Sequence, residues 1–127
     1  MTPQVPLVLT ELAGLALRSA APDVPEGERQ TALALSAMLL SVAAEVWDGA
    51  AENLVTENRA LAALLGDRSA ETSLRLSALR AENSRLRARL ITAHSAAEEA
   101  GDAARLAAIW AELTASTERR KLSISSI

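Results

Sequence analysis

The 127-residue chain has no cysteine, phenylalanine or tyrosine, one histidine, two tryptophans, four prolines and five glycines. Without cysteine there is neither a disulfide nor a thiolate metal site. One imidazole, His94, is too few for zinc sites built on two or more. β-Branched and aromatic side chains carry strands, and valine and isoleucine together number ten. A sheet would have little to be built from. A formal charge of −3 argues against bulk binding to nucleic acid. No Gly-rich phosphate loop and no Ser–His–carboxylate set is readable, so catalysis is not expected, and neither is a metal or other cofactor.

What the chain does have is alanine (28) and leucine (21), the strongest apolar helix formers. The expected class is all-α, in one domain over 1–127. The first 17 residues are apolar but lack a basic start and are interrupted by Glu11, so no secretory leader is expected. The longest uncharged run, 30–44, is 15 residues. That is short of the roughly 18–20 that cross a bilayer, so a buried core and a cytoplasmic address are expected, with no membrane partner. Twelve arginines against one lysine is the usage of a GC-rich, bacterial genome.

Punctuation divides the chain. Pro22-Asp23-Val24-Pro25 breaks the first apolar segment, with Asp23 placed to cap the next helix and Pro25 in its first turn. Gly66-Asp67 and Gly101-Asp102 each pair a left-handed C′ glycine with a candidate N-cap. Four helices follow, at about 5–20, 26–65, 69–100 and 102–121, with a frayed tail over 122–127.

The second helix carries apolar residues in 3-4 spacing from Leu33 to Leu65, and the third does so from Leu76 to Ala100. A short link at 66–69 would fold the two as a long antiparallel hairpin, with the shorter first and fourth helices packed on its base in a four-helix-bundle-like arrangement. Residues 33–47 are apolar on nearly all sides, which predicts burial on all sides. Residues 51–90 would project as a thinner arm. Glu57-Asn58 and Glu82-Asn83 repeat locally, and the fold would bring Asn58 and Asn83 within about a turn of each other. A buried Asn needs a partner, and another Asn can supply it.

Charge is uneven. Residues 1–67 carry 3 positive and 9 negative side chains, while 68–127 carry 10 and 7. The third helix holds Arg75, Arg80, Arg85, Arg87 and Arg89, preceded by Arg68. Its basic face is expected to lie against the acidic second helix rather than against phosphate, because no aromatic residues accompany it to stack bases.

The expected function is non-enzymatic: homodimerisation, or capture of a partner helix, along a seam of Leu54, Asn58, Leu61, Leu65, Leu76, Leu79, Asn83, Leu86 and Leu90. The alternative is an apolar small-molecule pocket walled by Trp47 and Trp110, both otherwise read as core packing. A further alternative is an arginine-faced nucleic-acid regulator. His94/Glu98 and Glu45/Asp48/Glu52 read as solvated helix surface rather than a metal pair. Arg119-Arg120-Lys121 reads as cations offsetting a helix dipole rather than a kinase recognition site.

Overall fold

The computed structural model describes residues 4–68 and 71–123. It is all-α, with no strand among the described residues. The elements are α1 (Val5–Gly14), a π-helical turn (Leu15–Ala20), a 3-10 turn (Ala21–Asp23), α2 (Glu28–Leu64), α3 (Leu76–Ala100) and α4 (Ala103–Arg119). Contacts divide the chain into two compact units, Met1–Gly49 and Ala50–Ile127, with α2 beginning in the first and ending in the second.

The glycine stops are as expected. Gly66 takes φ +70 after α2, its N–H bonding Ala63 O at 3.2 Å and the Asp67 N–H bonding Ala62 O at 2.8 Å. Gly101 (φ +64) repeats this pair of bonds to Glu98 and Ala97. Both are Schellman closures, which glycine reaches without the Cβ penalty. Asp102 then caps α4, its side chain accepting the Arg105 N–H at 2.9 Å.

Three boundaries differ from expectation. The first helix is α-helical only to Gly14 and tightens into the 3-10 turn at Pro22. Val24, before Pro25, is extended at φ −103 and ψ 131, because the proline ring disfavours the helical region for its predecessor. The second helix starts at Glu28 rather than 26, since Gly27 sits at φ +145 and its carbonyl accepts the first helical bond, from Thr31. Asp23 therefore lies in the 3-10 turn and does not cap α2.

The largest correction is at the connection after α2. Helix α3 begins at Leu76, not 69. Ser73 Oγ accepts the Arg75 N–H at 3.2 Å, a local bond that competes with helix, and Arg75 is extended. The longer connection passes back beside α2, where Arg59 donates to both oxygens of Glu71 at 2.8 and 3.0 Å. So α3 starts beside Asn58 and advances with α2. Asn58 meets Leu79 and Asn83, while Asp67 meets Arg85 and Arg89. The two helices run in the same direction, and the expected antiparallel hairpin does not form.

Helix α4 doubles back at Gly101. His94 meets Trp110 and Arg87 meets Ser116, so α4 runs opposite to α3. Its Ile109 (1% exposed) joins Leu61, Ala62, Leu86 and Leu90 in the core of the second unit, with Leu64, Leu65 and Leu113 packed against them. Each leucine so buried contributes about 1.5–3 kcal/mol. The segment 51–90 is thus covered by α4 and is not a bare arm. The 124–127 part of the expected frayed tail lies outside the described residues.

The first unit has the opposite character. Its buried residues are Ala13, Gly14, Ala21, Ala37 and Ala44, all small. Eleven of its large apolar side chains face outward, namely Val5, Leu7, Val8, Leu12, Leu15 and Leu17, then Leu35, Met38, Leu39, Val46 and Trp47, each between 39% and 58% exposed, while Leu9, Val24, Leu33, Leu40 and Val42 are half-buried. The expectation that 33–47 would be buried all round is overturned. Within 33–47 the fully buried residues are Ala37 and Ala44, with Leu33, Leu40 and Val42 half-buried.

Candidate interaction surfaces

The polar layer of the second unit centres on Glu57, which is 3% exposed. The residue follows from the α2 register, one position before Asn58, and faces both α3 and α4. Its Oε1 accepts from Asn83 Nδ2 (3.0 Å), Arg87 Nε (2.9 Å) and Arg120 Nη2 (2.9 Å), and a further close bond comes from Arg87 Nη2. Its Oε2 accepts from Ser116 Oγ (3.2 Å) and Arg120 Nη2 (2.8 Å). Burial pushes the carboxyl pKa up, but the bonds from Asn83, Arg120 and Arg87 outweigh it and hold it down at about 2. Asn83 Nδ2 also donates to Asn58 Oδ1 at 2.9 Å, and Asn58 Nδ2 donates to Leu79 O at 3.0 Å. The buried amides are therefore satisfied, as their burial demands.

This layer uses up much of the expected seam. Asn58, Leu61, Leu79, Asn83, Leu86 and Leu90 are buried within the chain, and Leu54, Leu65 and Leu76 are half-buried. The basic helix does meet acidic partners. Arg87 reaches Glu57, and Arg85 and Arg89 both reach Asp67. Arg68, Arg75 and Arg80 are exposed. At the end of α4, Arg119 pairs with Glu112, Arg120 with Glu57, and Lys121 with Glu118 at 2.7 Å. The sequence marks Arg120 as a dipole cation and gives Glu57 no role. The available signal was an acidic residue beside a seam Asn, on the face that must meet the arginine-rich helix.

The two tryptophans are not core residues. Trp47 is 52% and Trp110 58% exposed, and they belong to different units. The rings of Trp110 and His94 stand edge to face, with centroids 5.9 Å apart at 88°. A shallow recess of about 250 Å³ is lined by Arg87, Leu90, Ile91, His94, Ile109 and Leu113, and Trp110 is not one of its walls. His94 Nε2 stands 3.8 Å from Glu98 Oε1. Glu45, Asp48 and Glu52 are exposed. Among the described residues no group of three or more His, Asp or Glu is placed to hold a metal ion.

Most of the exposed large apolar side chains therefore lie in the first unit, while Leu74, Ile91 and Trp110 stand exposed in the second. Helix α2 includes an 18-residue stretch of mean hydropathy 1.4, of which 11% is buried. Its hydroxyls are turned inward on the helix. Thr31, Ser36 and Ser41 each donate to the carbonyl four residues back, at 2.8–3.1 Å. The side-chain polarity of this stretch is thus largely spent on its own backbone. Compared with known proteins, the chain matches no family model, no curated protein and no solved structure.

Proposed function

We propose that the chain is a non-enzymatic helical interaction protein that self-associates through its first unit. One observation carries this reading: among its described residues that unit buries only alanine and glycine while eleven large apolar side chains stand 39–58% exposed. Half-exposed side chains of this size amount to on the order of 1,000 Å² of apolar surface. These side chains stand on α1, the turn after it and α2; a monomer rarely exposes more than a few hundred Å² in one contiguous patch, and a standard interface takes about 800 Å² from each partner. The second unit supplies the contrast, since Leu61, Leu79, Leu86, Leu90 and Ile109 are buried there, its exposed large apolar side chains among the described residues are three, Leu74, Ile91 and Trp110, and the amides of Asn58 and Asn83 are bonded.

The test is the absolute mass in solution, by light scattering on a sizing column across a wide concentration range. A dimer or larger closed assembly that persists on dilution is expected. A monomer of 13.3 kDa at all concentrations overturns the reading.

A second reading, a small apolar ligand, has the recess beside His94 in its favour. It predicts that octanoate changes Trp110 emission in a Trp47→Phe background. No response to octanoate removes that reading.

A further inference from the structure

Helix α2 carries two apolar stripes on opposite sides. The stripe of Leu33, Ala37, Leu40 and Ala44 is buried or half-buried by the chain. The stripe of Leu35, Leu39, Val42 and Val46 is two positions further on, about 200° around the helix at 100° per residue. Leu35, Leu39 and Val46 are 50%, 57% and 46% exposed, and Val42 is half-buried. The spacing of this second stripe is 4-3-4, the repeat of a coiled-coil seam.

We propose that this stripe pairs with the same stripe of a second copy in antiparallel sense, centred between Leu40 and Ser41. The proposal rests on the self-association argued above. Three observations choose the occupant and its direction.

The first is length. From Leu35 to Val46 the stripe spans about 17 Å, and the uncharged run 30–44 about 22 Å, at 1.5 Å per residue. A bilayer core is about 30 Å thick. A span of that length would have to take in Glu45 together with Arg29 or Asp48. A helix of equal length and equal pattern, the second copy, fits this stripe from end to end.

The second is volume. Antiparallel pairing about that centre sets Leu35 across from Val46 and Leu39 across from Val42 of the other copy, so every layer holds one Leu and one Val. Parallel pairing would give Leu–Leu and Val–Val layers. It would also place one Leu and one Val at each of the a and d positions, rather than β-branched residues at a and Leu at d, as parallel dimers prefer.

The third is charge. The stretch after the stripe carries Glu45, Asp48 and Glu52, and the start of the helix carries Glu28 and Arg29, which offset one another, at its positive dipole end. Antiparallel pairing lays the acidic stretch of each helix alongside the N-terminal end of the other, which favours negative charge.

The test uses the absence of cysteine. Single variants Ala43→Cys and Arg29→Cys, both at exposed positions on one flank of the stripe, are spin-labelled in the full chain, and the inter-copy distances and the mass are measured together. Antiparallel pairing sets the two 43 positions about 8 Å apart along the axis and the two 29 positions about 35 Å apart. The expected result is a dimer with short distances at 43 and distances longer by at least 15 Å at 29. A dimer with equal, short distances at both sites is parallel and overturns the inference while leaving self-association standing. A dimer with both distances long places the interface elsewhere and likewise overturns it. A monomer, with or without binding to phosphatidylcholine–phosphatidylglycerol vesicles, overturns both.

Discussion

Arg120, one residue past the end of α4, donates through Nη2 to both oxygens of the Glu57 carboxylate, at 2.9 and 2.8 Å, across 63 positions of the chain. With Arg87 from α3 on the same carboxylate, the side chain of Glu57 joins the three helices of the second unit at one point. Replacing it tests how far that point matters. Glu57→Gln keeps the shape but removes the charge and replaces one of the two oxygens that the guanidiniums share with an amide donor. Both arginines retain contact with water, at 36% and 53% side-chain exposure, which limits the loss. A destabilisation of about 1–3 kcal/mol is expected, read as a lower urea midpoint with an unchanged slope.

The same carboxyl predicts a pH dependence. Its pKa in the fold is lowered from 4.5 to about 2. The folded state thus holds the proton more weakly than the unfolded state does. The stabilisation is fully present above about pH 4.5 and is lost as the pH falls from there towards 2. Urea midpoints measured from pH 7 to pH 2.5 should fall across that window. Glu57→Gln should fall less steeply over the same range, and identical profiles would show that other carboxylates govern the acid limb.

Asp67 offers a contrast. It receives Arg85 and Arg89, both close to half exposed. Exposed pairs contribute roughly 0–1 kcal/mol and are screened by salt. Asp67→Asn should therefore cost less than 1 kcal/mol at low salt, and its difference from the parent should shrink in 0.5 M NaCl. A loss as large as that of Glu57→Gln would mean that the pairs fix the path of the connection after α2.

Leu86 is fully buried, and Leu61 and Leu79 are 2% exposed. Leu86→Ala should cost about 2–5 kcal/mol from lost burial and the cavity left behind. Leu61→Asp should cost more, because an unpaired charge would be desolvated. Thermal unfolding of both variants checks the register; parent-like stability in either removes its residue from the core.

These register positions were legible in the sequence because 3-4 spacing and glycine stops act locally. Leu61, Leu86, Gly66 and Gly101 all stand where that pattern places them. The meeting of Asn58 with Asn83 was legible too, but the direction of the helices was not. A short connection would bring the two residues together antiparallel, and a long one brings them together parallel. What decided between these was whether 69–75 continues the helix, and the bond between Ser73 and Arg75 is too weak a local signal to read beforehand. The site was missed for a related reason. Hydrophobic periodicity marks an apolar side chain as one that needs cover, but it does not say that the cover comes from the same chain. Residues 33–47 read as core because they are apolar all round, and in the single chain only Ala37 and Ala44 of them are fully buried.

If a second copy supplies the missing cover, part of the stability of the first unit belongs to the assembly. Association that stabilises only the folded state makes the melting temperature rise with protein concentration. The parent chain should show such a rise between 1 and 100 µM. Leu39→Asp should abolish it. Leu39 is 57% exposed in the single chain, so a charge there meets water in the monomer and costs it little, but it would be buried unpaired at the seam. The variant is therefore expected to stay helical by circular dichroism, to run at monomer mass and to melt at one temperature regardless of concentration. The control is Arg80→Asp, at an exposed α3 position of the second unit, which should leave the concentration dependence intact. If Leu39→Asp retains the parent's mass and its concentration-dependent melting, the open stripe of α2 is not what holds the copies together.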